Sequence, residues 1–556
     1  MLHLSILLWL PVVFGLLGLL VPERTTRWVS LVGALLTLAL SIAFVVDFDT
    51  AGATHQHVTS DAWISALGVR YELALSGLNV WLVLLTTVGF AFSIAWTAVA
   101  PLGTRARAKH VFLHLAIAET AVVGALLAQD LILFVAFFDL MLIPFFFLTA
   151  MFGNGDRVPA TIKMVVYTLV GSLLMLVAAI AVGVLATPAG ASVSYDLATI
   201  AQRGVPEGSQ GWLFACFAAA FLVKMPAFPI HGWVADGYRA MPLPILAVFS
   251  GVLSKIAAYG FLQIAVPLLP QGTADLRWIV IVMALLSILY ASSIALTTTN
   301  ARLVLAYSSI AQLGFITLGL MSLRTEGASG AIFQSINHGV AVFGAFLAVA
   351  ILSARAGGSE DLRDMGGAAT KAPVFAVLFV VVTYAVLAMP GTANFVGEFL
   401  ILRGAWEGTA PAVTIIASIG IALAAVYALR LFIRSAHNRV GPKMEPREAS
   451  RAQIALLAVP VVLIAALALH PSQTVDASDV AATRSVLPAA AIADRDGAQQ
   501  MLSDLQDKVG GEVASTGGGQ AGAPAGDVAI DPSTGQPVDP AAAPAEPSAQ
   551  TEGAGR

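Results

Sequence analysis

The chain runs to 556 residues, 58% hydrophobic and 11% charged, with a formal net charge of −4 and a mean hydropathy of +0.85. No soluble core hides that much apolar surface, so the composition excludes an ordinary globular protein and specifies one that crosses a membrane many times. The single cysteine, Cys216, excludes an internal disulfide and a thiolate-held iron–sulfur cluster.

About fourteen apolar runs are long enough to span ~30 Å of hydrocarbon as helices. They cover residues 3–21, 28–46, 77–100, 111–128, 130–152, 163–186, 211–230, 242–268, 277–297, 302–322, 330–354, 373–402, 411–433 and 452–470. The opening run, Met1 to Leu20, lacks a basic flank and a small-residue cleavage site, and reads as a retained first span. Before the third run, Val69, Tyr71 and Leu73 alternate with Arg70 and Glu72, which predicts a short hairpin within residues 58–76. From residue 471 to 556 the chain is rich in Ala, Gly, Pro and Ser and is expected to be a disordered, low-complexity tail, with a brief amphipathic helix around Met501 to Val509 as the alternative.

One set of alternate loops holds Arg24, Arg27, Arg105, Arg107, Lys109, Arg157, Lys163, Arg239, Arg302, Arg355, Arg363, Lys371, Arg434, Arg439, Lys443 and Arg447. The other holds only Arg70, Arg203, Arg277, Arg324 and Arg403. The positive-inside rule then places both termini and the hairpin on the external side.

Ionisable residues inside apolar runs cost about 3 kcal/mol each at mid-depth and mark ion paths or buried pairs. Glu119 fits a relay group or a protonated packing residue equally well, whereas Asp130 stands at a helix start and reads as a cap. Asp139 lies deep in its span and is the carboxylate best placed to answer Lys224. Lys224 itself sits about a dozen residues into its run, too deep for easy snorkelling, and Pro226 and Pro229 remove two backbone donors just beyond it. His231, next to that break, reads as structural. Lys255 is also far from either end of its span, with a static ion pair as the competing reading. Tyr307, Ser308, Ser309 and Gln312 offer hydroxyls and amides for a water wire, or glue between helices. His338 suits proton transfer from either ring nitrogen, or is a satisfied core histidine. A second break, Met389-Pro390-Gly391, precedes Glu398 by two turns. The broken runs are the seventh and twelfth, the spacing expected of two inverted five-helix repeats, and interrupted membrane helices mark ion paths.

The segments GVRYELALSGLNVWL, FFDLMLIPFFFL, FLVKMPAFPIHGWVADGYRAMPLPILAVFSGVLSKIAAYG, ARLVLAYSSIAQLGFI, INHGVAVFGAF, DLRDMGG and AMPGTANFVGEF together resemble the antiporter-like subunits of respiratory complex I, the proton-pumping NADH:quinone oxidoreductase. They are also similar to subunits of multisubunit sodium/proton antiporters. Within that family, glutamate at the position of Glu398 resembles the subunit M branch.

The resemblance implies an all-α polytopic membrane protein of about fourteen helices, with helices 4–8 (residues 111–268) and 9–13 (277–433) as inverted repeats and helices 7 and 12 broken. Residues 1–110 would form helices 1–3 with the hairpin, and 452–470 the last helix. It implies a proton relay of Asp139 paired with Lys224, then Lys255, with His338 beside it, and Glu398 as outlet. The family usually has glutamate at position 139 and often histidine at position 312. The shorter Asp139 therefore predicts a longer or water-bridged pair, and Gln312 removes one titratable candidate.

No cofactor is expected in this chain; NADH, flavin, iron–sulfur clusters and quinone would belong to partner subunits of a translocase. Expected partners are other membrane-arm subunits, two of them antiporter-like, in a bacterial inner membrane, with no nucleic acid. A sodium/proton antiporter subunit and a purely structural membrane subunit are the alternatives.

Overall fold

Apolar helices cannot sort themselves by hydrophobicity inside lipid, so their packing is decided by small residues, caps and interruptions. A computed structural model describes residues 3–50, 54–100, 102 and 108–516 of the chain. Arg105 and Arg107, counted above in the charge asymmetry, lie outside the described residues, as do residues 517–556 of the expected tail.

Helices α1 (Leu4–Leu20) and α2 (Glu23–Asp47) are followed by an antiparallel hairpin of β1 (Gln56–Ile64) and β2 (Val69–Leu75), in which Asp61 pairs with Tyr71 and Thr59 with Leu73. Then come α3 (Val80–Val99), α4 (Ala108–Leu127), α5 (Leu131–Leu140), α6 (Leu142–Phe152), α7 (Arg157–Leu185), α8 (Leu197–Arg203), α9 (Glu207–Lys224) and α10 (Val234–Ala240). One long helical stretch, α11 (Leu243–Val248), α12 (Ser254–Gly260) and α13 (Val266–Leu268), is interrupted by π turns at Phe249–Leu253 and Phe261–Ala265. The remaining helices are α14 (Pro270–Thr297), α15 (Ala301–Met321), α16 (Thr325–Arg355), α17 (Pro373–Val386), α18 (Ala393–Gly408), α19 (Pro411–Ala436), α20 (Arg451–Leu469), α21 (Pro471–Ala493) and α22 (Arg495–Thr516). Among the described residues, eleven helical stretches are long and apolar enough to cross a membrane, and Leu4–Leu20 and Pro373–Val386 are shorter apolar helices.

The span expected over 130–152 is interrupted within, as α5 and α6. Asp130 caps α5, its Oδ1 accepting from the amides of Ile132 (2.9 Å) and Leu133 (3.0 Å) while its Oδ2 accepts from the amide of Arg70 (3.0 Å). The helix breaks at Met141, three residues before Pro144, which cannot donate back to the carbonyl of Leu140.

The expectation of disorder from residue 471 onward fails for 471–516, where α21 and α22 form. The tail as a whole is poor in bulky apolar residues, but α21 buries Val486 and Leu487 together with small ones, among them Ala477, Ser478, Ala482, Ala489 and Ala490. Small side chains permit close backbone approach, and alanine favours the helix. The helix α21 lies across the hairpin-side ends of the bundle. The carbonyl of Ala477 sits where a Cβ on Gly77 would stand, Thr483 Oγ1 is 2.9 Å from Thr325 Oγ1, and Asp494 pairs with Arg324.

A seam of glycines brings α16 and α18 close together. A Cβ on Gly404 would fall 2.4 Å from the amide nitrogen of Gly327, one on Gly330 2.8 Å from Leu400 Cβ, and one on Gly397 2.4 Å from Gln334 Oε1. On the face opposite the hairpin, buried Arg302 binds Glu360 through Nε (2.9 and 3.0 Å) and Nη2, and its Nη1 donates to the carbonyls of Tyr238 (2.9 Å) and Met241 (2.6 Å). One guanidinium thus ties α15, the end of α10 and the loop after α16.

Gly397→Ala should wedge α18 from α16 at a cost of about 1–3 kcal/mol, read as a lower melting temperature of the detergent-solubilised protein. Arg302→Ala takes the cation from the partly buried Glu360 and strands the carbonyls of Tyr238 and Met241, and should cost about 1–3 kcal/mol, seen as loss of protein from the membrane. The hydrogen bond from Arg324 holds the Asp494 carboxyl below its usual range. Its contribution to docking α21 is therefore present above the unfolded value near ~4 and lost as pH falls through the lowered folded value. Hydrogen exchange in 471–493 should stay slow at neutral pH and quicken only in acid.

Candidate functional site

Lys224 is the last residue of α9, which ends because Pro226 and Pro229 supply no amide hydrogens. The carbonyls released there are taken up locally: Leu222 accepts from the amide of Ala227 (2.9 Å) and Val223 from the indole of Trp233 (3.3 Å). The Lys224 ammonium reaches the second break, donating to the carbonyl of Phe138 at 2.5 Å and sitting 3.2 Å from the centroid of the Phe138 ring.

Asp139 and Lys224 make no direct ion pair. Asp139 is close enough for its charge to act on the ammonium, but its Oδ1 is buried without a hydrogen-bond partner. The carbonyl of the residue before it takes the place that the shorter carboxylate does not reach.

From Lys224 a cavity of about 20 Å³, lined also by Thr168, Tyr238 and Ser254, leads toward the middle of the chain. That volume admits about one water. Ser254 borders Lys255, whose ammonium receives no carboxylate: it donates to the carbonyl of Ser250 (2.7 Å) and to Ser254 Oγ (3.1 Å). Ser250 lies in the π turn, where the wider helical winding offers its carbonyl inward. The turn packs through Gly251 against Gly339 of α16, whose Cβ would fall 2.6 Å from the Gly251 carbonyl oxygen. That approach brings His338 beside Lys255, within reach of its charge, with its own Nδ1 buried and unpartnered.

A polar line continues into the second half. Ser250 Oγ donates to Ser309 Oγ at 3.3 Å, and the adjacent Ser308 donates to the hydroxyl of Tyr427 at 3.0 Å. Tyr427 lies against Gln312, whose amide donates to Glu398 Oε1 at 2.7 Å while its carbonyl accepts from Gln334 (2.8 Å). Lys255 and Glu398 are 1% and 3% exposed. A charge buried without a counter-ion in contact is expensive, so such groups exchange protons rather than hold fixed ion pairs.

Not every candidate joins this line. Glu119 is buried with Oε1 unpartnered and has no polar link to Lys224 or Lys255. His231 stacks on Phe228 (5.6 Å) and meets Tyr290 at a tilt (5.2 Å), the three rings forming one aromatic cluster. Tyr307 faces away, toward Tyr290, Arg239, Asp236 and Lys163, because it lies on the side of α15 opposite the buried Ser308 and Gln312. Three members of the line escaped sequence reading: Ser250, Ser254 and Tyr427. Ser250 and Ser254 lie four residues apart in an apolar span, a spacing that was available as a signal; Tyr427 carries none.

The model of the NADH:quinone oxidoreductase/Mrp antiporter, TM family matches residues 128–424. Among curated relatives, NADH-quinone oxidoreductase subunit M of Rhodobacter capsulatus is 33% identical over 419 residues, covering 74% of this chain and 80% of that one. Subunit M of Mycobacterium tuberculosis is 31% identical over 523 residues, covering 85% and 92%. Among solved structures, a chain in respiratory complex I from Thermus thermophilus with bound NADH superimposes with a TM-score of 0.79 at 27% identity, covering 87% of this chain and 99% of that one. A chain of the Mrp complex from Dietzia sp. DQ12-45-1b shares the fold, with a TM-score of 0.76 at 20% identity, covering 90% and 99%. The broken helices, the lysines within the spans and these likenesses agree: the chain belongs to the NADH:quinone oxidoreductase/Mrp antiporter transmembrane family, among the subunit M relatives.

Proposed function

We propose that the chain is a proton-translocating membrane-arm subunit of an NADH:quinone oxidoreductase. The observation that carries this reading is the buried polar line from Lys224 through Lys255 to Glu398, threaded between two helix breaks. In this reading the chain crosses a bacterial inner membrane fourteen times, counting the broken pairs, with both termini and the hairpin outside. The stretches 111–268 and 277–433 are inverted repeats, and broken helices from both frame the line. NADH, flavin, iron–sulfur clusters and quinone are held by partner subunits, and further antiporter-like subunits, two in number, complete the arm.

A change of charge arriving from a neighbouring subunit alters how strongly Asp139 acts through space on Lys224. Because Lys224 rests on a neutral carbonyl and an aromatic ring rather than on a carboxylate, a modest change in that field decides whether it keeps its proton. The proton crosses the cavity by way of a water to Ser254 and Lys255. It then passes along Ser250, Ser309, Ser308 and Tyr427, with water closing the steps between hydroxyls, to Glu398. The amide of Gln312 orients the Glu398 carboxyl without itself carrying a proton.

Lys224→Met and Glu398→Gln should each lower protons translocated per NADH at least twofold in assembled complex in vesicles; unchanged stoichiometry in both would remove the relay. The family also includes cation/proton antiporters. Sodium uptake by the purified assembly without NADH would favour that second reading, and its lack favours the first.

A further inference from the structure

A second cavity, of about 380 Å³, opens on the hairpin side, and the polar line above does not use it. Its wall carries His55 before β1, Glu72 of β2, Gln129 before α5, Asp196 at the start of α8, Gln263 in the second π turn and Arg484 of α21. Two further charged groups face this cluster. Arg70 holds Glu72 through Nε at 3.3 Å, and Asp130 is bridged to Asp196 along the backbone. The volume far exceeds the ~10–15 Å³ that one water needs.

The inner wall of the cavity is formed in part by Leu262 and Gln263, on the same helical stretch as Lys255. Gln263 Nε2 donates to Gln129 Oε1 at 3.1 Å across the floor. Directly beneath, Tyr259 is fully buried, and its hydroxyl lies against Gln129 and Asn79 without a hydrogen-bond partner. Lys255 and Tyr259 stand four residues apart in α12 and so share one side of it, and Gln263 follows in the second π turn. An unpartnered hydroxyl therefore lies against Gln129, which lines this polar chamber, one helical turn along from Lys255.

We propose that this cavity is a proton port in its own right, through which Lys255 exchanges protons with the hairpin face by way of Tyr259 and water, independently of Glu398. The proposal rests on Lys255 being a relay group. In the transfer, water carries the ammonium proton to a lone pair of the Tyr259 oxygen, and the hydroxyl releases its original proton to water at Gln129. The tyrosine ends unchanged and Lys255 ends neutral. The receiving group is the Glu72 carboxylate, whose proton affinity is raised by burial and then by the charge of Asp196.

The test uses assembled complex in vesicles. Tyr259→Phe keeps the ring and removes the hydroxyl, and should lower protons per NADH at least twofold. Gln263→Cys, in a chain whose only other cysteine is Cys216, should react with a membrane-impermeant charged thiol reagent added from the hairpin side. Reaction should produce a similar loss, while the reagent leaves the unsubstituted protein unaffected. Normal stoichiometry in Tyr259→Phe, or in Gln263→Cys after complete modification, overturns the port. Lys255→Met separates the two levels: if it pumps normally the relay itself is wrong, and if it fails while Tyr259→Phe and modified Gln263→Cys pump normally, only the port is.

Discussion

A positive charge held in the middle of an apolar bundle must find oxygen, and regular helices have none to give, because every interior carbonyl is already engaged. The fold answers by interrupting helices. Lys224 takes the carbonyl of Phe138 at the break between α5 and α6, and Lys255 takes the carbonyl of Ser250 inside a π turn. Beside the break before α18 a neutral group makes the contact, the amide of Asn337 donating to the carbonyl of Ala393 at 3.0 Å. Proline, π winding and intramembrane polarity are therefore one device.

Neutral oxygen partners have a consequence that carboxylates would not. A lysine paired face to face with an acid is locked by a strong mutual attraction, whereas one resting on a carbonyl responds to weaker and more distant fields. Asp139 standing off from Lys224, and Lys255 among hydroxyls with His338 nearby, suit transfer better than static cohesion. Cohesion is supplied elsewhere, by the Gly327, Gly330, Gly397 and Gly404 seam and by Arg302 with Glu360. The seam also sets the distance across which Gln334, Gln312 and Glu398 meet, since a side chain at Gly397 would occupy the place of Gln334 Oε1.

The hairpin side is built on small residues and clasps rather than on bulk. Gly77 lets the backbone of α21 settle against the start of α3, and Arg324 fixes its far end. In doing so α21 brings Arg484 to the rim of the larger cavity, so a segment with an unpromising composition completes one wall of a polar chamber.

Some of this was readable in one dimension. Charges isolated within apolar runs, and prolines just after Lys224 and before Glu398, are local facts of the chain, and they identified the membrane class, the interrupted helices and the ionisable residues worth following. Asp130 as a cap is likewise local. What the sequence could not decide were distances between elements far apart in the chain. Whether Asp139 touches Lys224 depends on where the helix breaks at Met141. That Tyr427 joins Ser308 across 119 positions depends on how α19 leans on α15. The folding of 471–493 depends on a groove of complementary shape, not on its own apolar content. Composition and periodicity fix which groups must be buried; only packing decides which oxygen each buried group meets, because hydrogen bonds and proton transfer are set by separations of a few tenths of an ångström that no spacing along the chain encodes.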